Sequence, residues 1–265
     1  MSRAPRLFRF PGLGATTFLF FVYLYVPILV LVLLSFNAGQ QATIWAGFSA
    51  RWYGVVLANA DLMRAFRNSL TLATVATLAA TAIATLAALG TARGRFRGRN
   101  AVAALIGLPL VVPEIVTAVA TLLFFVLLGL PLGLTTVILA HTVFCIPFAY
   151  LPIRARLQDM DPTLEEAAMD LYADRARTFL RVTLPLLWPG VLSGAMLAFI
   201  ISLDDFVITY FVSGAGATTL PVYIFGMIRI GISPEVNAVS ALMLLVSILF
   251  VTLSWLAGQA RRGTG

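Results

Sequence analysis

Two adjacent carboxylates, Asp204 and Asp205, interrupt an apolar run that extends over residues 185–212. On insertion scales a carboxylate at the centre of a bilayer costs about 2.5 to 3.5 kcal/mol, so the pair costs about 5 to 7 kcal/mol. Such residues are expected to face a helix bundle or a water-filled pathway, where their field attracts cations because water is scarce. The alternative is a structural pair that caps or braces neighbouring helices.

The spacing of small and polar residues distinguishes the two aspartates. Adjacent residues on a helix point about 100° apart, so both cannot face one pathway squarely. A stripe with spacings of three and four residues shares one helical face. It consists of Gly190, Gly194, Ala198, Ser202, Asp205, Thr209 and Ser213. We therefore predict that Asp205 faces the pathway together with Ser202 and Thr209, and that Asp204 is structural.

Two more polar residues fall at a similar depth in other apolar runs. Glu114 lies about 13 residues into the run 101–128, and His141 lies about seven residues into the run 134–152. We predict that Glu114, His141 and Asp205 form a polar layer just outside the membrane midplane. For His141 alone, a packing histidine whose hydrogen bonds are satisfied is the alternative.

The composition is that of a membrane protein, with 60% hydrophobic residues, 11% charged residues and a mean hydropathy of +0.97. Because a span needs about 20 apolar residues, 265 residues leave room for about six helices and no separate soluble domain. We predict one transmembrane domain over residues 1–265. Its predicted spans are 14–36, 66–92, 101–128, 134–152, 185–212 and 237–258, with a polar cytoplasmic loop at 153–184.

The charged residues exclude several classes of function. All 18 basic residues are Arg, and a Walker A loop requires Lys, so the chain is not itself a P-loop ATPase. The single Cys145 excludes a disulfide framework and a cysteine-based metal site. An intramembrane enzyme would have only His141 and Cys145 as a base and nucleophile pair, without a flanking signature. The net charge of +7 comes from Arg beside apolar spans, which argues against a nucleic-acid partner.

The distribution of Arg predicts the orientation. Fourteen Arg lie in the tails and loops of one side, whereas only Arg51, Arg64, Arg67 and Arg229 lie on the other. The positive-inside rule therefore places both termini and the loop 153–184 in the cytoplasm.

The polar loop carries helix-start signals and a recognisable pattern. Asp161 before Pro162 fits an N-cap with proline at the first helical position, which predicts a helix over 162–171. The run Glu166-Ala167-Ala168, followed after a spacer by Leu184-Pro185, resembles the loop that defines permease subunits of type I ABC importers.

This resemblance implies a cytoplasmic coupling helix that docks onto an ATPase subunit. The implied docking residues are Glu165, Glu166, Ala167, Ala168, Asp170, Leu171, Tyr172 and Ala173. The family usually has Gly where Tyr172 stands, so the tight turn expected there must form without glycine's freedom at positive φ.

The sequences Leu203-Asp204-Asp205-Phe206-Val207 and Ser233-Pro234-Glu235-Val236-Asn237-Ala238 resemble the spermidine/putrescine subgroup of these permeases. The resemblance implies an all-α polytopic fold of six transmembrane helices, with both termini inside, in the bacterial inner membrane. It implies as partners a second permease, two ATPase subunits that bring ATP and Mg, an external substrate-binding protein and membrane lipid. No cofactor is expected in this chain, and the chain is expected to be a transport subunit, not an enzyme.

The expected activity is import of polyamines by alternating access. One alternative is an importer permease for another aminated or cationic solute. A less favoured one is an ion-coupled secondary transporter, for which no inverted repeat is found and which would leave the docking loop unexplained.

Overall fold

The computed structural model describes residues 12–94, 96–231 and 233–260, and within them the regular structure is helical except for one antiparallel bridge between Asn37 and Phe48. The helices are α1 (Leu13–Leu34), α2 (Arg51–Ala58), α3 (Ala60–Arg93), α4 (Arg99–Gly107), α5 (Glu114–Leu127), α6 (Leu134–Gln158), α7 (Thr163–Asp170), α8 (Arg175–Thr178), α9 (Leu184–Asp204), α10 (Val207–Val212), α11 (Leu220–Ile230) and α12 (Pro234–Ala260). A 3₁₀ turn, Leu108–Leu110, follows α4, and a π-helical turn, Phe179–Thr183, joins α8 to α9.

Five helical segments in the described residues are long and apolar enough to cross a membrane, and there are six if α4 and α5 count as one span. This confirms the predicted all-α polytopic fold class. The apolar run 101–128 is not a straight helix, however, because α4 and α5 are bent by 105° between Leu110 and Glu114. Pro109 and Pro113 lie at this bend, and proline can neither donate a backbone hydrogen bond nor accommodate the preceding turn of a helix.

The fifth apolar run also differs from a simple span. Its helix begins at Arg175, ahead of the apolar residues, and runs through the π-helical turn to Asp204. It then breaks, and α10 begins at Val207. Irregular backbone inside a membrane protein is tolerated where other parts of the protein satisfy its polar groups.

The chain divides into two compact units. One contains the described residues up to Asn59 together with Gly226–Leu245, and the other contains Ala60–Phe225 together with the described residues from Val246 onwards. Every predicted site residue belongs to the second unit.

The core of the second unit is built from α3, α6 and α9. Ala80, Ala84 and Ala88 recur every four residues on α3 and are fully buried, as are Ala149 and Ile153 of α6. Small side chains on one helical face allow helix backbones to approach closely.

Helix α9 packs so closely against α6 that two positions of α9 require glycine. A Cβ atom on Gly190 would lie 2.6 Å from Arg156 Cβ, and one on Gly194 would lie 2.6 Å from the Ala149 carbonyl oxygen. The small-residue stripe of α9 is therefore a packing face.

Candidate functional site

His141 is the centre of a buried polar network. Its Nδ1 lies 2.9 Å from Ser202 Oγ, and its Nε2 lies 2.9 Å from Thr209 Oγ1 and 3.0 Å from Asp205 Oδ1. The side chains of His141 and Asp205 are only 1% and 2% exposed. Nε2–H donates to Asp205, and Nδ1 and the Ser202 hydroxyl share a hydrogen bond.

Asp205 also caps the helix that follows it. Its backbone is extended, with φ −62° and ψ 127°, which ends α9. Its carboxylate accepts hydrogen bonds from the backbone N–H groups of Ile208 (3.3 Å) and Thr209 (3.0 Å) and from Thr209 Oγ1 (3.1 Å). A side-chain acceptor here satisfies N–H groups that have no partner within a helix, and the positive end of the α10 dipole favours its negative charge.

The two aspartates differ in burial. We predicted that Asp205 faces the pathway and that Asp204 is structural; on this chain Asp205 is buried and Asp204 is exposed. The prediction assumed one continuous helix, whereas the break at Asp205 changes the helical phase. The stripe on which Asp205 lies packs against α6, and the assignment of the pathway-facing aspartate stays a prediction.

Glu114 begins a third element beside this network. It is the first residue of α5, directly after the bend, and it is exposed on this chain. Helix α5 packs against α10, which begins just after Asp205. The structure joins four of the six predicted pathway residues in one hydrogen-bonded network, His141, Ser202, Asp205 and Thr209.

The coupling helix predicted over 162–171 is α7. Asp161 Oδ1 accepts a hydrogen bond of 2.9 Å from the backbone N–H of Thr163, outside the membrane spans. This bond, with a second one from the Thr163 side chain, holds the pKa of Asp161 below its ordinary value. The second short helix of the loop, α8, is capped in the same way, because Asp174 Oδ1 accepts from the Arg177 N–H at 2.7 Å.

Tyr172 makes the turn that the family usually makes with Gly. Its φ is 63°, and it is the only non-glycine residue with positive φ in the described part of the chain. The Tyr172 N–H donates to the Met169 carbonyl at 3.0 Å, and the Ala173 N–H donates to the Ala168 carbonyl at 3.1 Å. This is the Schellman pattern that ends a helix, with Tyr at the left-handed position where Gly is preferred. The side chain of Tyr172 is left 96% exposed.

The predicted docking residues do not all face the same way. Glu165 is half-buried, because Oε1 accepts from Thr183 Oγ1 at 3.1 Å and lies 3.4 Å from Arg93 Nη2. Five others are exposed, and Ala168 and Ala173 are partly buried. The exposed ones are Glu166, Ala167, Asp170, Leu171 and Tyr172. Glu165 therefore ties α7 to the end of α3 and to the turn before α9, a connection that the sequence analysis did not find.

The helix break after Asp204 was not predicted from the sequence. A signal was present, because Asp is a preferred N-cap and Asp205 precedes the short helix at Val207. Within a long apolar run this signal was outweighed by the continuous hydrophobic pattern.

The described residues, with five to six apolar helices, a buried polar cluster and a capped helix in a polar loop, are those of a polytopic membrane protein. Residues 80–262 match the family described as the inner membrane component of binding-protein-dependent transport systems. The chain belongs to this family. It is thus a multi-pass permease subunit of an importer and not an enzyme, as predicted.

Similar proteins agree with this assignment. The chain is 46% identical over 231 residues to the putrescine transport system permease protein PotI of Escherichia coli (strain K12), covering 84% of this chain and 82% of PotI. It is 40% identical over 243 residues to the spermidine/putrescine transport system permease protein PotC of Haemophilus influenzae, covering 92% and 95%. The fold is similar to that of a crystallised bacterial ABC transporter involved in the import of alginate, with a TM-score of 0.70 at 17% identity over 98% of this chain and 99% of that one.

Proposed function

We propose that this chain is a permease of a polyamine importer in the bacterial inner membrane. In the proposed assembly it pairs with a second permease, two ATPase subunits that carry ATP and Mg, and an external binding protein. The relatives named for putrescine and spermidine transport support this cargo. The observation that carries the proposal is the buried network of His141 and Asp205, with the exposed carboxyl group of Glu114 at the start of α5, which packs against α10.

The chemistry of this site suits an ammonium group. Hydrogen bonds from ammonium groups to carboxylates are about twice as strong as those between neutral groups. Hydrogen bonds from α6 and α10 hold Asp205 in place, so the field of this buried carboxylate on a nearby cation comes from a fixed position. Asp204, exposed next to it in sequence, offers a third carboxylate to a cargo that has more than one ammonium group.

The contacts of the loop 153–184 suggest how ATP hydrolysis in a partner subunit would change the carboxylate site. A partner ATPase that moves α7 would act through Glu165 on Arg93 at the end of α3 and on Thr183 before α9. Helix α9 has 21 residues and spans about 32 Å from this tie to Asp205. Displacement of α9 along its length would therefore change the carboxylate site, as alternating access requires.

Isolation of the assembly tests the proposed partners. The tagged chain is purified gently from its native membranes, and the bound proteins are identified by mass spectrometry. Stoichiometric recovery of a P-loop ATPase and a second permease supports the proposal. A lone chain or a homodimer, found in several mild detergents, contradicts it and favours a secondary transporter.

Uptake by the reconstituted assembly tests the cargo and the coupling. We expect ATP-dependent uptake of putrescine or spermidine that survives collapse of the proton gradient. Glu166→Ala and Ala168→Asp should keep ATP hydrolysis and lose transport, whereas Asp159→Asn, an exposed residue at the end of α6, serves as the matched control. Normal uptake in both loop variants would refute the docking role. Uptake of a different cationic solute with no polyamine uptake would support the alternative cargo.

A further inference from the structure

A cavity of about 760 Å³ lies beside α7, on the side that the distribution of Arg predicts to be cytoplasmic. The end of α3, the start of α4, α7, α8 and the π-helical turn form its wall, and all of them belong to the second unit. Its volume is within the roughly 300 to 1,000 Å³ of small-molecule sites. Thr183 of the wall precedes α9, whereas Asp205 follows α9, so the cavity is separate from the buried polar network.

Three guanidinium groups line this cavity, each from a different helix. Arg93 ends α3, Arg99 begins α4, and Arg175 begins α8. Arg93 is engaged, since its Nη2 lies 3.4 Å from Glu165 Oε1. Arg99 and Arg175 are exposed, and within the described residues neither belongs to an ion pair. Glu166 also lines the wall, so three positive and two negative charges leave an excess of one positive charge.

Thr178 adds a hydrogen-bonding group without a partner to the same wall. It is 6% exposed, and its Oγ1 has no hydrogen-bond partner in the described part of the chain. Burial of a hydroxyl without a partner is unfavourable, so such groups are normally satisfied by protein, water or ligand. The hydroxyl of Thr183, in contrast, already donates to Glu165. Thr178 therefore offers a free donor beside the guanidinium groups.

A phosphodiester matches this wall in charge and in hydrogen bonding. Guanidinium groups present paired N–H donors that fit phosphate oxygens. A phosphodiester has one negative charge, equal to the excess positive charge of the wall, whereas a phosphate monoester has about 1.5 to 2. The wall also has an apolar part, which includes Leu89, Ala92 and Met169. Basic pockets between helices on the cytoplasmic side of a membrane bind anionic lipid headgroups.

We propose that this cavity binds the phosphate group of an anionic phospholipid from the cytoplasmic leaflet, with Arg99, Arg175 and the Thr178 hydroxyl as its donors. Arg93 keeps its contact with Glu165, which joins α3 to α7 in the wall. The bound headgroup links the start of α4 to the start of α8, and so stabilises the loop that leads into α9. The proposal concerns a lipid and not the cargo, so it stands or falls independently of the polyamine assignment.

Native mass spectrometry of the purified tagged chain, with the partners that it retains in mild detergent, tests this site. Dioctanoyl phosphatidylglycerol is titrated into protein from which lipid has been removed. We expect a saturable site whose affinity falls about fivefold in Arg99→Gln and in Arg175→Gln. Thr178→Val, which removes the hydroxyl and keeps the shape, should also weaken binding. Arg177→Gln removes the same charge from the same short helix but lies outside the cavity wall, so it should bind as wild type.

Two comparison ligands identify the source of the phosphate. Dioctanoyl phosphatidylethanolamine, which has the phosphodiester but no net charge, should bind more weakly, and equal binding would overturn the match of charge. Glycerol 1-phosphate at the same concentration should not displace the lipid. If it does, the ligand is a soluble phosphate ester and the lipid proposal is wrong.

The variants separate a built site from general surface charge. Equal weakening by Arg177→Gln would show that the lipid responds only to the number of Arg on this face, and would overturn the proposal. Unchanged lipid binding in Arg99→Gln, Arg175→Gln and Thr178→Val would also overturn it. If these variants instead lose a co-purified ATPase subunit while lipid binding is unchanged, the cavity is a protein contact and not a lipid site.

Discussion

Gly194 offers a direct test of how closely α9 approaches α6. A Cβ atom at this position would lie 2.6 Å from the carbonyl oxygen of Ala149 and 3.2 Å from its carbonyl carbon and Cα. All three are backbone atoms, so no flexible side chain can move aside. In Gly194→Ala the helices must separate locally by about 0.9 Å to reach the 3.5 Å of a relaxed contact.

The magnitude follows from a matched comparison. Overpacking a close contact costs about 1 to 3 kcal/mol, but Gly→Ala in a helix also gains up to about 1 kcal/mol in helix propensity. Gly90 lies inside α3, and a Cβ atom there would meet nothing within 4 Å. Gly90→Ala therefore carries the same gain without the clash. The difference between the two variants isolates the packing cost, which corresponds to about 5- to 150-fold in an equilibrium constant.

Cys145 provides the assay. It is the only cysteine of the chain, it is fully buried, and its Sγ lies 3.6 Å from the Ala198 carbonyl oxygen, one turn along α9 from Gly194. A maleimide can react with it only when α6 and α9 open, and with fast reclosing the rate of labelling follows the opening equilibrium.

We expect Gly194→Ala to be labelled about 5 to 150 times faster than Gly90→Ala in the same mild detergent. Equal labelling rates would refute the reasoning, because they would mean that the helices are not in backbone contact at Gly194. A Cys145→Ser chain, which should not be labelled, checks the specificity of the reagent.

Three further predictions concern the loop and the buried network. Tyr172→Gly removes the left-handed strain of about 1 to 2 kcal/mol, offset in part by glycine's greater loss of entropy, so the Ala173 amide should exchange hydrogen more slowly than in wild type. The pKa of Asp161 is lowered in the folded loop, so its cap on Thr163 is fully present above about pH 4 and is lost as the pH falls through the lowered pKa. The Thr163 amide should therefore exchange hydrogen faster in acid, and unchanged exchange would contradict this prediction. His141→Phe removes one of the four hydrogen-bond donors of the buried Asp205 carboxylate, which should destabilise the chain by roughly 1 to 3 kcal/mol and lower its melting temperature in detergent.

Tyr172 shows how a sequence departure and a structural observation combine. The sequence lacks the usual glycine at this position, and the backbone keeps the left-handed turn despite the side chain. Residues held in such conformations persist where their surroundings determine them, here through the two backbone hydrogen bonds that close α7. The shape of the loop is therefore determined by the helix end as a whole rather than by glycine.

The sequence by itself determined the class of this protein and the identity of its loop. The signals for both are local properties of the chain: its composition, the absence of Lys, the length of the apolar runs and the cap at Asp161. Each can be interpreted without knowing which distant residues come into contact. The all-α polytopic fold and the family followed from these signals and from the pattern around Glu166.

Only the tertiary structure decided which aspartate is buried. Asp205 is held by His141, which reaches the site from another helix. His141 also contacts Ser202 of α9, from which it is separated by 61 residues in the sequence. The spacing of residues within α9 cannot predict a contact with another helix. The contact also lies at a helix break, which changes the direction in which each side chain points. The bend before Glu114, after which α5 packs against α10, is likewise decided by how separate helices pack.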